Sequence, residues 1–517
     1  MVGIVVDQMR WDYLYRYYDR YAANGGFKRM LNEGFSCENT FINYTPAVTA
    51  PGHASIYTGS VPAVHGITGN AWIDRTTNRQ VYCVEDTGVR TVGSSTNAGL
   101  MSPRNLLSTT ICDELRLATN FRSKVMGISL KDRGSILPAG HSADGAYWYD
   151  GRTGNWITST YYRTELPSWV QNFNASKKVD SFYQKPWTTL YPINTYTQST
   201  ADAKPYESKA LGSNSFPYDL KQYVGKNYWS IANTPYGNSL TLAFAKAAVQ
   251  GEALGKDNVT DFLAVSFSTP DYVGHAYGPN SIEEEDIFLR LDAELGDLLR
   301  FLDNAVGKNE YTVFLSADHG AAHIPRFMRE QKFPAGHFTD DVLLALNAHL
   351  KKTFGVDGLV IEFFNYQIYL SKPRIDSAGL SMADVRSATA QFLMQQPGVS
   401  RAFDLDKVAS TTLPPTWQMM VAHGWYLKRC GDVQVFLEPH WIEGYTNGGT
   451  THGAPYAYDT HIPLLWFGWG IKKGSSSATY HMTDIAPTLA ALLHIQPPSG
   501  SIGRVITEMA QAQQKAQ

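Results

Sequence analysis

Three stretches place metal-binding side chains where apolar runs stop. In "TVFLSADHG", residues 312–320, Asp318 and His319 stand side by side. In "DFLAVSFSTPDYVGHAYGP", residues 261–279, Asp271 and His275 follow four residues apart, and "VGIVVDQ" ends on Asp7. Carboxylate and imidazole together suit a divalent ion of borderline softness, zinc above all. Each stretch also has a plainer explanation. Asp7 would serve as a turn or cap residue, Asp271 and His275 as two polar residues on one helical turn, and Asp318–His319 as a turn with a hydrogen-bonded imidazole. The recurrence favours ligation, because ligands in open α/β sheets gather beyond the carboxyl ends of the strands. A sixth ligand comes from "GGTTHGAPYAYDTHIPL", residues 448–464, in His452. His461 competes with it, but it abuts the following strand and is expected to pack or bond locally. His65, His141 and His323 also lie near these motifs and are weaker candidates.

A hydroxyl nucleophile is offered by "TPAVTAPGHASIYTG", residues 45–59. Thr49 precedes Ala50, Pro51 and Gly52, and "HASIYTG" reads as a short helix with proline tolerated in its first turn. A hydroxyl at that end meets backbone N–H groups and a dipole that favour anions such as phosphate. A threonine hydroxyl needs a metal to lower its pKa before it can attack at neutral pH. The alternative is that Thr49 only caps the helix; the adjoining ligand cluster favours the catalytic reading.

These residues need a scaffold. The 517-residue chain, with formal net charge −3, has no basic field for nucleic acid or anionic lipid. It contains no apolar run of about eighteen residues that would span a membrane. No obligatory protein partner is evident. Met1 runs straight into an apolar stretch, which leaves a cytosolic chain or one displayed after loss of an export signal. Cys37, Cys83, Cys112 and Cys430 share no close spacing, so two disulfides and four buried thiols are both open. Continuous apolar runs at 2–6, 124–130, 261–267, 311–316 and 462–468 predict strands buried on both faces. Between them, residues 281–306 show helical periodicity with acids in the first turn, and "TDIAPTLAALLHI" offers Asp484 as a cap. The fold class expected is α/β, a central mostly parallel sheet sandwiched by helices. Two regions break the rhythm and are expected to be insertions crowning one core: an aromatic and polar region at 140–237, and an α+β region at 324–448.

Taken together, "VVDQMRWDYL", "TPAVTAPGHASIYTGSVPAVHGITGN", "SLKDRGSILPAGHSADGAYWYD", "STPDYVGHAYGP", "SADHG", "THGAPYAYDTHIPLLWFG" and "DIAPTLAALL" resemble the alkaline phosphatase superfamily. The match is closest to its bacterial threonine-nucleophile phosphomonoesterases and the related nucleotide pyrophosphatase/phosphodiesterases. The resemblance implies one catalytic domain over 1–517 and two zinc ions, about 4 Å apart as in paired-metal sites. One ion would be held by Asp271, His275 and His452, the other by Asp7, Asp318 and His319. Thr49 would form a phosphothreonine, which water then hydrolyses. Asn70 in "GITGN" matches a phosphate-binding asparagine, and Lys131 and Arg133 in "SLKDRG" match the Lys-x-Arg pair of the monoesterases. Alternation at a strand end would send both cationic chains to one side, with Asp132 pointing away. A periplasmic or secreted location and activity rising toward alkaline pH are implied as well.

The cationic pair favours phosphate monoesters, whose extra charged oxygen it would reward, over diesters. A sulfatase is disfavoured because "TAPGH" lacks the C/S-x-P-x-R string of that branch. No equivalent of the arginine beside the serine nucleophile of better-known alkaline phosphatases is found, so no third, magnesium site is predicted. The competing readings are a phosphodiesterase or nucleotide pyrophosphatase, a non-catalytic metal- or phosphate-binding module, and a scaffold whose polar strand ends merely cap helices.

Overall fold

The computed structural model describes residues 1–510. Its main sheet contains the strands β1 (Val2–Val6), β2 (Phe35–Phe41), β3 (Val125–Ser129), β4 (Gly145–Asp150), β5 (Phe262–Phe267), β6 (Thr312–Ser316) and β7 (Leu464–Gly468). The order β6-β1-β5-β3-β4 is parallel throughout. Beyond β6 the sheet continues through antiparallel β7 to β2. Every residue of β1, β3, β5 and β6 is buried, which is why these runs show no polar alternation. Register sets up the site. Val6 lies opposite Phe267, Val5 opposite Ser316, and Ser129 opposite Ser266. The chain therefore leaves β1, β3, β5 and β6 at one common edge, where Asp7, Lys131, Asp271 and Asp318 follow.

Helices α1 (Thr49–Thr58), α2 (Asp132–Ala139), α3 (Thr269–Tyr277), α4 (Ile282–Leu302) and α5 (Ile485–Leu493) carry or flank that edge. In α4 the Ser281 side chain caps by accepting from Glu284 N, as the acidic first turn suggests. At α5 the sequence expectation needs correcting. Asp484 sits at the cap position, but its carboxylate accepts from His481 N and Arg504 N instead, fastening neighbouring chain rather than the helix.

The region from residue 140 begins with sheet, not cap: β4 and the strand Asn155–Ser159 extend the main sheet. All six residues of "GAYWYD" are buried, and their aromatic hydroxyls and indole N–H gave them a loop-like composition. Within 324–448 a separate four-stranded antiparallel sheet forms from Val360–Phe364, Gln367–Leu370, Val433–Leu437 and Val399–Asp404, over its own apolar core. All four cysteines are buried free thiols.

The buried acids at the start of α4 anchor the aromatic segment. Asp286 accepts from Trp187 Nε1 at 2.8 Å and Tyr196 Oη at 2.5 Å, and Tyr218 Oη donates to Glu283 at 2.5 Å. Burial, then the charge of Glu283, push the Glu207 carboxyl up to about 9, and burial pushes Glu283 to about 7. A carboxyl raised in the folded state favours folding most below its unfolded value and loses that contribution as pH rises through the folded value. Stability should therefore fall between about pH 5 and pH 9. Glu207→Gln is expected to shrink the Tm difference between those pH values by at least about 2 °C, read by calorimetry. An unchanged difference would rule out Glu207 as the source.

Candidate active site

The edge collects two triads. Ligand atoms of Asp271, His275 and His452 lie within 4.8 Å of one another, and so do those of Asp7, Asp318 and His319. All six sequence-predicted ligands are thus brought together. The triads adjoin, since the His319 and His452 rings stack with centroids 3.5 Å apart. Lys131 Nζ spans them, 2.6 Å from Asp7 and 2.5 Å from Asp271. Local sequence explains the convergence. Asp271 and His275 share one face of α3, with His275 Nε2 3.2 Å from Asp271 Oδ1. A Cβ at Gly320 would stand 2.3 Å from the Tyr458 carbonyl, so the turn after His319 needs glycine. A Cβ at Gly52 would stand 2.5 Å from the Asp318 carbonyl, so glycine also lets α1 pack on that turn.

The donor set fits divalent ions. The Nδ1 atoms of His275, His319 and His452 face the carbonyls of Thr450 at 2.7 Å, Gly320 at 3.0 Å and Ala47 at 2.8 Å. A carbonyl only accepts, so each Nδ1 carries the proton and each Nε2 presents its lone pair to the triads. Asp7 Oδ1 is buried without a hydrogen-bond partner. Burial, then Asp271 and Asp318, push the Asp7 carboxyl well above its ordinary range. Burial works the same way on Asp271, but Lys131 and His275 outweigh it and hold that carboxyl well below. The raised Asp7 carboxyl shows that one ammonium does not balance the acids crowded here, and free imidazole lone pairs point at the same place.

Thr49 is the first residue of α1, with Val48 as the cap, and its side chain makes no capping bond. Its hydroxyl instead donates to His319 Nε2 at 3.3 Å, which sets aside the capping alternative. Most of the row of free N–H donors expected at this helix end is taken or missing. Ala50 N donates to Asn70 Oδ1 at 2.9 Å, Gly52 N to Val48 O at 3.1 Å, and Pro51 has no N–H. What α1 still offers is direction, dipole and the N–H of Thr49 itself. With its Oδ1 engaged, Asn70 keeps its amide N–H groups as donors beside Thr49.

Lys131 and Arg133 do not alternate along a strand end. β3 stops at Ser129, Lys131 occupies the cap position of α2, and Arg133 lies in its first turn. Lys131 Nζ sits 4.9 Å from the centroid of the Tyr272 ring. Arg133 Nη1 donates to Tyr82 Oη at 3.1 Å, while its Nε is buried without a partner. Asp132 does not point away on its own; it accepts from the same Tyr82 hydroxyl at 2.5 Å.

Several site residues carried no sequence signal. Gln8 stitches the triads, its N–H to Asp318 Oδ1 at 3.1 Å and its Nε2 to Asp271 Oδ1 at 2.7 Å. His53 Nδ1 lies 2.9 Å from the Thr49 carbonyl and 3.2 Å from Asp318 Oδ2. Asp459 Oδ2 accepts from Gly453 N at 2.9 Å and Ala454 N at 2.8 Å, tying down the chain after His452. The weaker histidine candidates lie outside both triads. His65 pairs with Ser55, His141 with Asp113, and His323 with Arg10 and Asn280, while His461 bonds Glu38 O as expected.

The family described as Type I phosphodiesterase / nucleotide pyrophosphatase matches residues 1–457. Alkaline phosphatase PhoV of Synechococcus elongatus is 53% identical over 511 residues, covering 98% of this chain and 92% of PhoV. A protein of Myroides odoratus named calcium-transporting ATPase is 51% identical over 515 residues, covering 98% and 94%. The crystal structure of wild-type alkaline phosphatase PafA superposes with a TM-score of 0.97 at 49% identity, covering 99% of this chain and 98% of that one. A mutant of PafA with one threonine, one asparagine, one lysine and one arginine replaced superposes with a TM-score of 0.96.

Proposed function

The chain belongs to the type I phosphodiesterase / nucleotide pyrophosphatase family within the alkaline phosphatase superfamily, is itself an alkaline phosphatase, and, we propose, cleaves phosphate monoesters through a phosphothreonine at Thr49. The observation that carries this mechanism is the Thr49 hydroxyl 3.3 Å from His319 Nε2, a member of one ligand triad whose ring stacks on His452 of the other. We assign one zinc ion to Asp271, His275 and His452 and another to Asp7, Asp318 and His319. Bound there, zinc would lower the pKa of the threonine hydroxyl and neutralise charge on the departing alkoxide.

The protein residues do the rest. Thr49 Oγ1 forms the new bond to phosphorus as the ester P–O bond breaks. Asn70, Lys131 and Arg133 hold the remaining phosphoryl oxygens, supplying donors where charge develops. Water then cleaves the phosphothreonine and the hydroxyl is restored. The four residue types replaced in the PafA mutant are those of this set, which supports the assignment. The cationic pair favours the dianion of a monoester over a diester. The terminal phosphoryl group of a nucleotide presents the same charged oxygens, which accommodates the ATPase name of the Myroides relative. Among the described residues no helix is long and apolar enough to cross a membrane. On resemblance alone we also propose an exported enzyme, periplasmic or secreted.

Metal analysis is expected to find two zinc ions per chain, with anomalous scattering at the two triads. An aryl phosphate should be preferred over its diester in paired assays. Purified active protein without zinc would overturn the metal assignment, and equal rates on both esters would overturn the roles of Lys131 and Arg133.

A further inference from the structure

The four-stranded satellite sheet touches the active site through one tight turn. Asn365 and Tyr366 join the strands Val360–Phe364 and Gln367–Leu370, with φ of 56° and 60°. A two-residue turn with both φ positive ordinarily takes asparagine followed by glycine. Here a tyrosine occupies the second position, where a Cβ is unfavourable. Such a residue persists only when its surroundings hold it, and such outliers cluster at functional sites. The carbonyl of Tyr366 accepts from Val435 N at 2.9 Å and from Gln434 Nε2 at 3.0 Å, so the turn is held from within its own sheet.

Its other contacts run to the active site. Asn365 Nδ2 donates to the carbonyl of Ala71, next to Asn70, at 2.8 Å. Tyr366 Oη donates to the carbonyl of His452 at 3.3 Å. Two glycines form the cradle. A Cβ at Gly69 would stand 2.4 Å from Asn365 Nδ2, and one at Gly453 would stand 2.6 Å from the Tyr366 ring. Gly69 precedes Asn70 and Gly453 follows His452, so the close approach occurs at the two residues being held.

We propose that Asn365 and Tyr366 are positioning residues for phosphate-monoester hydrolysis: the satellite sheet clamps the backbone beside Asn70 and at His452 through this turn. The proposal rests on the roles given above to Asn70 and His452. Asn365 acts on phosphate binding through Asn70, and Tyr366 acts on zinc retention through His452. Neither touches substrate.

The test uses the purified zinc enzyme and two nearly isosteric variants, Asn365→Asp and Tyr366→Phe. Inhibition by inorganic phosphate, loss of zinc to a chelator, and Tm are measured on each. Asn365→Asp should weaken phosphate inhibition by about fivefold or more with zinc retention unchanged. Tyr366→Phe should speed zinc loss by about fivefold or more, since removing an outer-shell support of a ligand typically has such effects. A merely structural role would move Tm and both readouts in parallel, and that pattern would overturn the clamp. Should Asn365→Asp lower Tm, Asn365→Gly keeps the favoured turn geometry without the amide. The same loss of phosphate inhibition is expected there, and its absence overturns the proposal. Asn70→Ala and His452→Ala run beside these. If they leave phosphate inhibition and zinc retention intact, the underlying reading fails; if they act and the turn variants stay within about twofold of wild type, the clamp alone fails.

Discussion

Thr49→Ala is expected to lower kcat for an aryl phosphate by at least about 10³-fold, the scale on which loss of a nucleophile is felt, while Tm stays at or slightly above its wild-type value. The two halves follow from one geometry. Thr49 is the first helical residue of α1, and its side chain satisfies no backbone N–H. Among the described residues its hydroxyl bonds His319 Nε2 alone, at 3.3 Å. Removing a capping threonine would cost about 1 kcal/mol of stability, but alanine at a helical position without a capping role gains in propensity, which works against the loss of the buried methyl and hydroxyl. A large kinetic loss at constant stability therefore belongs to a reacting group. Thr49→Ser keeps the hydroxyl and should retain most of the activity. Mass spectrometry of acid-quenched wild-type enzyme with substrate should find one phosphoryl group on the peptide containing Thr49. Turnover by Thr49→Ala close to the wild-type rate would dismiss the covalent route and leave the triads as binding sites only.

How far the site could be read in advance depended on how local each signal was. Asp271 and His275 sit four residues apart on one helix, and helical spacing alone makes them neighbours. Asp7, Asp318 and His319 were legible because parallel strands in register release their next residues at one edge, so "strand end" in the sequence translates into a place. Gln8, His53 and Asp459 could not be found that way. Gln8 hides behind the adjacent Asp7, and its job is defined by Asp271 and Asp318, some 263 and 310 positions away. His53 lies on a helix that is buried all around, so no polar face singles it out. That Lys131 and Arg133 lie on a helix start and not along a strand end has a physical source too. "SLKDRG" carries no capping residue at the cap position, so the helix that starts at Asp132 has no sequence signal, and Ser129 Oγ accepts from Lys131 N at 3.2 Å where the strand ends. In the fold, β4 carries no strand signal because buried tyrosine and tryptophan read as polar composition, and the satellite turn carries none because tyrosine stands where a glycine would announce it.

Lys131→Ala should lower the monoester-to-diester ratio of kcat/KM by about 10²-fold, the largest change in selectivity expected from any single substitution here. Lys131 is 2% exposed. Burial tends to strip its proton, but Asp271 and then Asp7 outweigh burial and keep the ammonium charged throughout the working range of pH. A monoester dianion brings one more charged oxygen than a diester does. An ammonium about 4 Å from that oxygen gains roughly 4 kcal/mol at an effective dielectric near 20, of which desolvation takes part. A remainder of about 2.7 kcal/mol corresponds to the hundredfold change. The same ammonium contacts Asp7 and Asp271 at 2.6 and 2.5 Å, so its removal also disturbs both triads. That disturbance acts on every substrate alike and cancels in the ratio, which is why the ratio and not the rate is the measurement that matters. Arg133→Ala should shift the ratio in the same direction, and Tyr82→Phe, which frees Arg133 from its 3.1 Å hydrogen bond, should do so by less. An equal loss on both esters in Lys131→Ala would mean that the lysine serves the carboxylates alone, and the preference for monoesters would then have to come from Arg133 and Asn70.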